Sequence, residues 1–169
     1  MLETLQLSPF GLIHTIISLI AVAAGIVELT RHGDIHPSRF WGTVYVAATV
    51  GACLTGFGIF RHGGFNEAHM LGVVTLLVLG LAALAGKTRV FGGASRKVEM
   101  LGYSITFLFH MIPTFTETLT RLPIGHPIVS DRDGLVPKIA GGVFFLIYLV
   151  FAKHQLKRLR EKDGAAPSM

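Results

Sequence analysis

The stretch FGLIHTIISLIAVAAGIVEL, residues 10–29, has twenty residues and one formal charge, Glu28, close to its end. A helix needs about 20 mostly apolar residues to cross the roughly 30 Å hydrocarbon core of a bilayer. A helix on the surface of a soluble domain would show an apolar stripe with a charged back, and this one has no charged back. Four more stretches follow the same reading, at residues 41–60, 68–85, 98–119 and 135–152. None alternates apolar and polar residues over the length that a membrane barrel requires.

Composition agrees. The 169 residues are 51% apolar and 15% charged, against about 25% charged in an ordinary soluble domain, and the mean hydropathy is +0.59. Such a chain is neither disordered nor fibrous, and it is not a basic nucleic-acid-binding domain. The single cysteine, Cys53, excludes an internal disulfide and a CxxC metal knuckle. We therefore expect an all-α membrane protein: an up-and-down four-helix transmembrane bundle plus a fifth transmembrane helix, one domain over residues 1–152. A basic polar tail, residues 153–169, should fray at its end. The first span is not expected to be a cleavable signal peptide. Glu3 is the only charge before it, and Glu28 and Arg31 stand where small residues would mark a cleavage site.

Orientation follows from lysine and arginine. On the face bearing the N-terminus, here the near side, the loops hold Arg61, Arg121, Arg132 and Lys138; the other eleven of the fifteen basic residues fall on the far side. Basic flanks stay in the cytoplasm, so the N-terminus is expected outside and the C-terminus inside the bacterial inner membrane. The net charge of +5 is then a topology signal.

Helices in lipid gain nothing by hiding apolar surface, so small and polar residues mark the packed faces. His14, Ser18, Ala21, Gly25 and Glu28 make one stripe in the first span, and Gly42, Tyr45, Thr49, Ala52 and Gly56 another in the second. His69, Gly72, Leu76 and Gly80 are expected to face the bundle from the third. The fourth carries the longest stripe: Tyr103, Thr106, His110, Thr114, Glu117 and Arg121. The fifth, with only Gly141, Gly142 and Tyr148, should be peripheral. Pro113 removes a backbone bond to the Phe109 carbonyl, so the fourth helix is expected either to loosen beside His110 or to hold a plain packing kink.

Ionisable groups inside a membrane are expensive and mark functional sites. Of eight histidines, His32, His36 and His154 are expected in solvated far-side segments, and His62 and His126 in near-side loops. His14, His69 and His110 lie within spans. His14 and His69 sit near the same end of two parallel helices, which predicts two imidazoles at one level. A bis-histidine b-type haem needs that arrangement, with Gly11, Ser18, Gly56 and Gly72 giving the porphyrin room. His110 lies deeper and pairs with His14 only in a lower site. The other readings are a three-histidine zinc site with Glu117 or Glu67 as base, and histidines acting as polar glue between helices. Glu117 and Arg121 form an ion pair at the near end or meet a proton or a quinone headgroup. Glu28 with Arg31 is the far-side counterpart. Serine elbows, Walker loops and dinucleotide fingerprints are absent.

His14, the run His36-Pro-Ser-Arg-Phe-Trp-Gly42 before the second span, and Gly63-Gly64-Phe-Asn-Glu-Ala-His69 leading into the third together resemble the DUF2306-like family of small bacterial membrane proteins. The likeness covers about residues 12–123. It departs from the family pattern where Pro-Ser separates His36 from Arg39, and where Ser95-Arg96-Lys97 replaces a His-Arg pair. The resemblance implies a four-helix membrane bundle and singles out His14 and His69; it implies no reaction. The functional expectation is a haem used for electron transfer with quinone or a partner. Its alternatives are a non-catalytic subunit or assembly factor of a larger membrane complex, and a zinc-dependent membrane hydrolase.

Overall fold

A computed structural model describes residues 8–60, 64–132 and 134–164, with side chains through residue 162. They form α1 (Pro9–His32), α2 (Phe40–Gly56), α3 (Glu67–Thr88), α4 (Ser95–Arg121) and α5 (Leu135–Gly164), with a 3₁₀ turn at Gly92–Ala94 before α4. The described residues contain no strand. The chain is all-helical, and α1, α3 and α5 are long and apolar enough to cross a membrane.

The helix ends have local causes. Ser8 Oγ accepts the Gly11 N–H at 3.0 Å, and Pro9 follows, where a missing N–H costs nothing. Gly33 closes α1 with φ 75° and donates its N–H to the Leu29 carbonyl. Two boundaries differ from expectation. The second span was expected to reach residue 60, but α2 stops at Gly56 after 17 residues, about 25 Å of helix. Gly56 and Gly58 weaken its end, since glycine is a poor helix former. The polar tail was expected to begin at residue 153, yet α5 runs unbroken to Gly164. Residues 153–162 are mostly Lys, Arg, Gln, Leu and Glu, all good helix formers. Residues 165–169, where fraying was expected, lie outside the described residues. In α4 every Asp, Glu, Lys or Arg is at position 96, 97, 99, 117 or 121, leaving 100–116 without formal charge, and the helix continues through Pro113.

Backbone contacts link α1 to α2, α2 to α3, α3 to α4 and, more lightly, α4 back to α1, while α5 packs only on α4. The α3–α4 crossing is close because Gly102 has no Cβ: one placed there would lie 2.8 Å from Ala82 Cβ. The buried faces of α1 (Ala21, Gly25, Glu28), α2 (Gly42, Tyr45, Thr49, Ala52) and α4 (Tyr103, Thr106, His110) follow the expected stripes. That of α3 does not. Gly80 is exposed, and the buried line is His69, Thr75, Leu79, Ala82 and Ala85. Small size alone did not identify the inward face, because the Ala82–Gly102 contact fixes the rotation of α3.

At the far end a charged clamp ties three segments together. Arg39, just before α2, bonds Glu28 of α1 at 2.5 Å and Asp34 at 2.7 Å; Arg96 of α4 bonds Asp34 at 2.8 Å and Glu99 at 3.0 Å. Glu28 therefore pairs with Arg39 rather than with Arg31. Burial alone disfavours a charged guanidinium, but the hydrogen bonds and charge of Asp34 and Glu28 outweigh it and raise the Arg39 pKa above its ordinary value. Gln155 docks α5 beside this clamp, donating to the Gly33 carbonyl at 2.8 Å and pairing with Ser104 of α4. The rest of α5 turns Leu, Ile and Val side chains outward, as a helix surrounded by lipid does.

Candidate functional site: the near-side histidines

His14 sits one turn into α1, over the C-terminal end of α2. Its Nδ1 lies 3.0 Å from Thr55 Oγ1, and its Cε1 would be 3.3 Å from a Cβ on Gly56. The tautomer follows from the hydroxyl. Thr55 commits its proton to the Gly51 carbonyl at 2.8 Å, so its oxygen accepts from His14 Nδ1–H and Nε2 is the lone-pair nitrogen; the ring also bonds the Ala52 backbone.

His69 is the third residue of α3 and 3% exposed. It takes part in the helix cap: Asn66 Oδ1 accepts the Ala68 N–H at 3.0 Å and lies 2.9 Å from His69 Nδ1. The same Nδ1 lies 3.3 Å from the Asn66 backbone N–H, closing a capping box, so it meets both an acceptor and a donor, and its contacts are compatible with either tautomer. His69 Nε2 is buried with no hydrogen-bond partner among the described residues. The rings of Phe57, Phe60 and Phe65 surround the imidazole at centroid distances of 6.4, 5.1 and 5.3 Å. Burying an unpaired polar atom costs about 1–3 kcal/mol, so it needs a reason.

His110 takes the opposite form to His14. Thr106 donates its proton to the Tyr103 carbonyl at 2.8 Å, so Tyr45 O–H donates to Thr106 Oγ1, also at 2.8 Å. Tyr45 also bonds Thr49, and Thr49 Oγ1 lies 3.1 Å from His110 Nε2. The chain is satisfied throughout when each group donates to the next, from His110 Nε2–H to Thr49 to Tyr45 to Thr106. It ends on a backbone carbonyl, which cannot pass a proton on. It is a locked interhelical network.

The structure brings His14 and His110 within electrostatic range of each other, with Glu117 near His14. Glu117 pairs with Arg121 of its own helix, as expected, and also with Arg132 of the following loop. No hydrogen bond or ring contact among the described residues joins His14 to His69. Both instead abut consecutive residues at the end of α2, His14 against Thr55 and Gly56 and His69 against the C-cap residue Phe57. Among the described residues no three His, Cys, Asp or Glu side chains gather in a metal-holding group, so His14, His69 and His110 do not meet as a zinc triad. Tyr103 belongs to the far half, beside Glu99.

Two expectations change. His36 is not simply solvated: it bonds Ser38 and faces Glu99. Glu28 belongs to the far-side clamp. His62 lies outside the described residues, while His32, His126 and His154 are exposed. The clamp itself was missed, because Arg39 and Arg96 were counted only as topology signals. Its signal in the sequence is the set of carboxylates Glu28, Asp34 and Glu99 at the far ends of apolar helices, where a charge needs a partner. No protein-family model matches the chain, and no curated protein or solved structure is significantly similar to it.

Proposed function

We propose that the protein is a small multi-pass protein of the bacterial inner membrane that binds a b-type haem between His14 and His69 and uses it for electron transfer. In this reading α1–α4 form an up-and-down bundle with α5 as an appended span, the N-terminus outside and the C-terminus in the cytoplasm. The ring of backbone contacts supports the bundle. The basic far-side loops support the orientation.

One observation carries the haem reading: the orphaned, buried Nε2 of His69. A haem-ligating histidine offers Nε2 as a lone pair while Nδ1–H donates to a neighbouring acceptor, which fixes the ring and raises its basicity. Asn66 Oδ1 lies where it serves His69 as that acceptor, and Thr55 Oγ1 serves His14, so the surroundings of both imidazoles fit the ligand form. Those of His110 do not, since Nε2 is spent on Thr49; the ligand set narrows from three histidines to two. Bound haem would supply reversible one-electron chemistry. The chain's own part is to hold the two imidazoles, exclude water with Phe57, Phe60 and Phe65, and present an apolar exterior to lipid, quinone or a partner protein. The test is the absorbance of protein purified in detergent from haem-replete cells, oxidised and reduced. The expected result is a Soret band that shifts on reduction; a folded, colourless protein that takes up no added haemin overturns the reading.

A zinc site has less support, because it needs His110 as a third ligand. A non-catalytic subunit or assembly factor of a larger membrane complex is favoured by α5, whose outer face is exposed and meets no other helix among the described residues. Co-purification of a partner at fixed stoichiometry, unchanged by His14→Ala and His69→Ala, would favour it over the haem reading.

A further inference from the structure

We propose a second site, independent of the histidine pair: Ser38, His36 and Glu99 form a nucleophile–base–carboxylate set on the far face that cleaves carboxylic esters of amphiphiles. Ser38 Oγ lies 2.6 Å from His36 Nδ1, and the Ser38 backbone N–H donates to the same nitrogen at 3.2 Å. Nδ1 is therefore the acceptor, and the ring proton sits on Nε2. That nitrogen faces Glu99 Oε1 at 3.5 Å. Hydroxyl, imidazole and carboxylate thus stand in the order that activates a serine, which is recognised by geometry rather than by position in the sequence.

Each member is held. Glu99 is 7% exposed, its second oxygen is bonded by Arg96 at 3.0 Å, and α3 approaches it at Gly86, where a Cβ would collide with the carboxylate. The His36 carbonyl accepts the Arg39 N–H at 3.1 Å and packs on the bare Cα of Gly42, so the loop carrying the base is fixed. Ser38 stands two residues before Phe40, the first residue of α2, and no side chain caps that helix. Its free first-turn N–H groups and positive dipole end lie beside the nucleophile, where an oxyanion would develop.

All three side chains line one pocket of about 330 Å³, together with Lys87 and Tyr103. Phe40 and Trp41 are exposed on the adjoining turn, at 71% and 39%, as aromatic residues are where membrane meets water. A substrate with a polar ester head and an apolar chain suits that boundary. In the first half-reaction Ser38 Oγ bonds the carbonyl carbon and its proton passes to His36 Nδ1. The ester C–O bond then breaks, and the departing alcohol takes that proton. Water repeats the sequence, releasing the carboxylic acid and restoring Ser38.

The test uses the full chain in detergent micelles with a fluorophosphonate probe, which phosphonylates activated serines with loss of fluoride. Wild type should be labelled, with the adduct on the peptide containing Ser38. Ser38→Ala, a substitution at an exposed residue, should abolish the label, and His36→Gln should slow it at least ~100-fold. No label on folded wild type, a label that persists in Ser38→Ala, or labelling of His36→Gln at the wild-type rate each overturns the proposal. The readout involves neither haem nor His14, so it stands or falls apart from the histidine pair.

Discussion

The two ends of the helix assembly treat buried polar groups in opposite ways. At the far end Glu28 and Glu99, almost fully buried, each meet a guanidinium, and Asp34 bridges Arg39 and Arg96. At the near end each of two imidazoles has one nitrogen at Thr55 or Asn66, and the buried Nε2 of His69 has no hydrogen-bond partner among the described residues. Compensated charge reads as a clamp that sets how α1, α2 and α4 meet. An unpartnered imidazole nitrogen in an aromatic shell reads as a seat for a ligand, because folding alone gains nothing by leaving it unpaired.

That contrast can be broken most forcefully at the clamp. Arg39→Ala leaves the Glu28 carboxylate buried without its cation and should cost about 3–5 kcal/mol, seen as a large drop in melting temperature in detergent, while any haem spectrum of the surviving folded fraction keeps its form. Tyr45→Phe removes the middle of the His110–Thr49–Tyr45–Thr106 chain and should cost about 1–2 kcal/mol, with hydroxyls left unpaired in the core; the same melts measure it. Gln155→Ala frees the far half of α5 and should cost about 1 kcal/mol, with faster amide exchange at residues 150–160 and little change in α1. The smallest effect on stability belongs to His69→Phe. It loses a cap bond worth about 1 kcal/mol but relieves the unpaired Nε2, so the net change should stay within about 1 kcal/mol. A cost as large as that of Arg39→Ala would mean that His69 is structural.

Much of this was legible in the chain because lipid imposes simple rules. Long apolar runs had to be helices, and the small-and-polar stripes of α1, α2 and α4 did mark inward faces. The α3 stripe failed at Gly80, which is exposed because the crossing at Ala82 and Gly102 sets the buried line, whereas Gly72 nearer the start of the helix packs against Phe57. The ends of α2 and α5 were misjudged by hydropathy, which registers apolarity and not helix propensity, so Lys153–Lys162 looked like a tail. His14, His69 and His110 stood out by residue type alone, as ionisable groups in apolar stretches. Their division into two rings at helix ends and one ring locked in a core network did not, since it depends on which hydroxyl or amide each nitrogen meets. The partners Glu28–Arg39 and His36–Glu99 are 11 and 63 residues apart, and no local pattern pairs them.

The central claim is that His14 and His69 hold a ligand and His110 does not. It is tested most directly by reduced-minus-oxidised absorbance spectra of wild type, His69→Phe and His110→Gln, each purified folded and titrated with haemin. The account predicts a six-coordinate, low-spin haem spectrum in wild type and in His110→Gln, and its loss in His69→Phe. The same spectrum in His69→Phe, or no haem uptake by folded wild type, would contradict it.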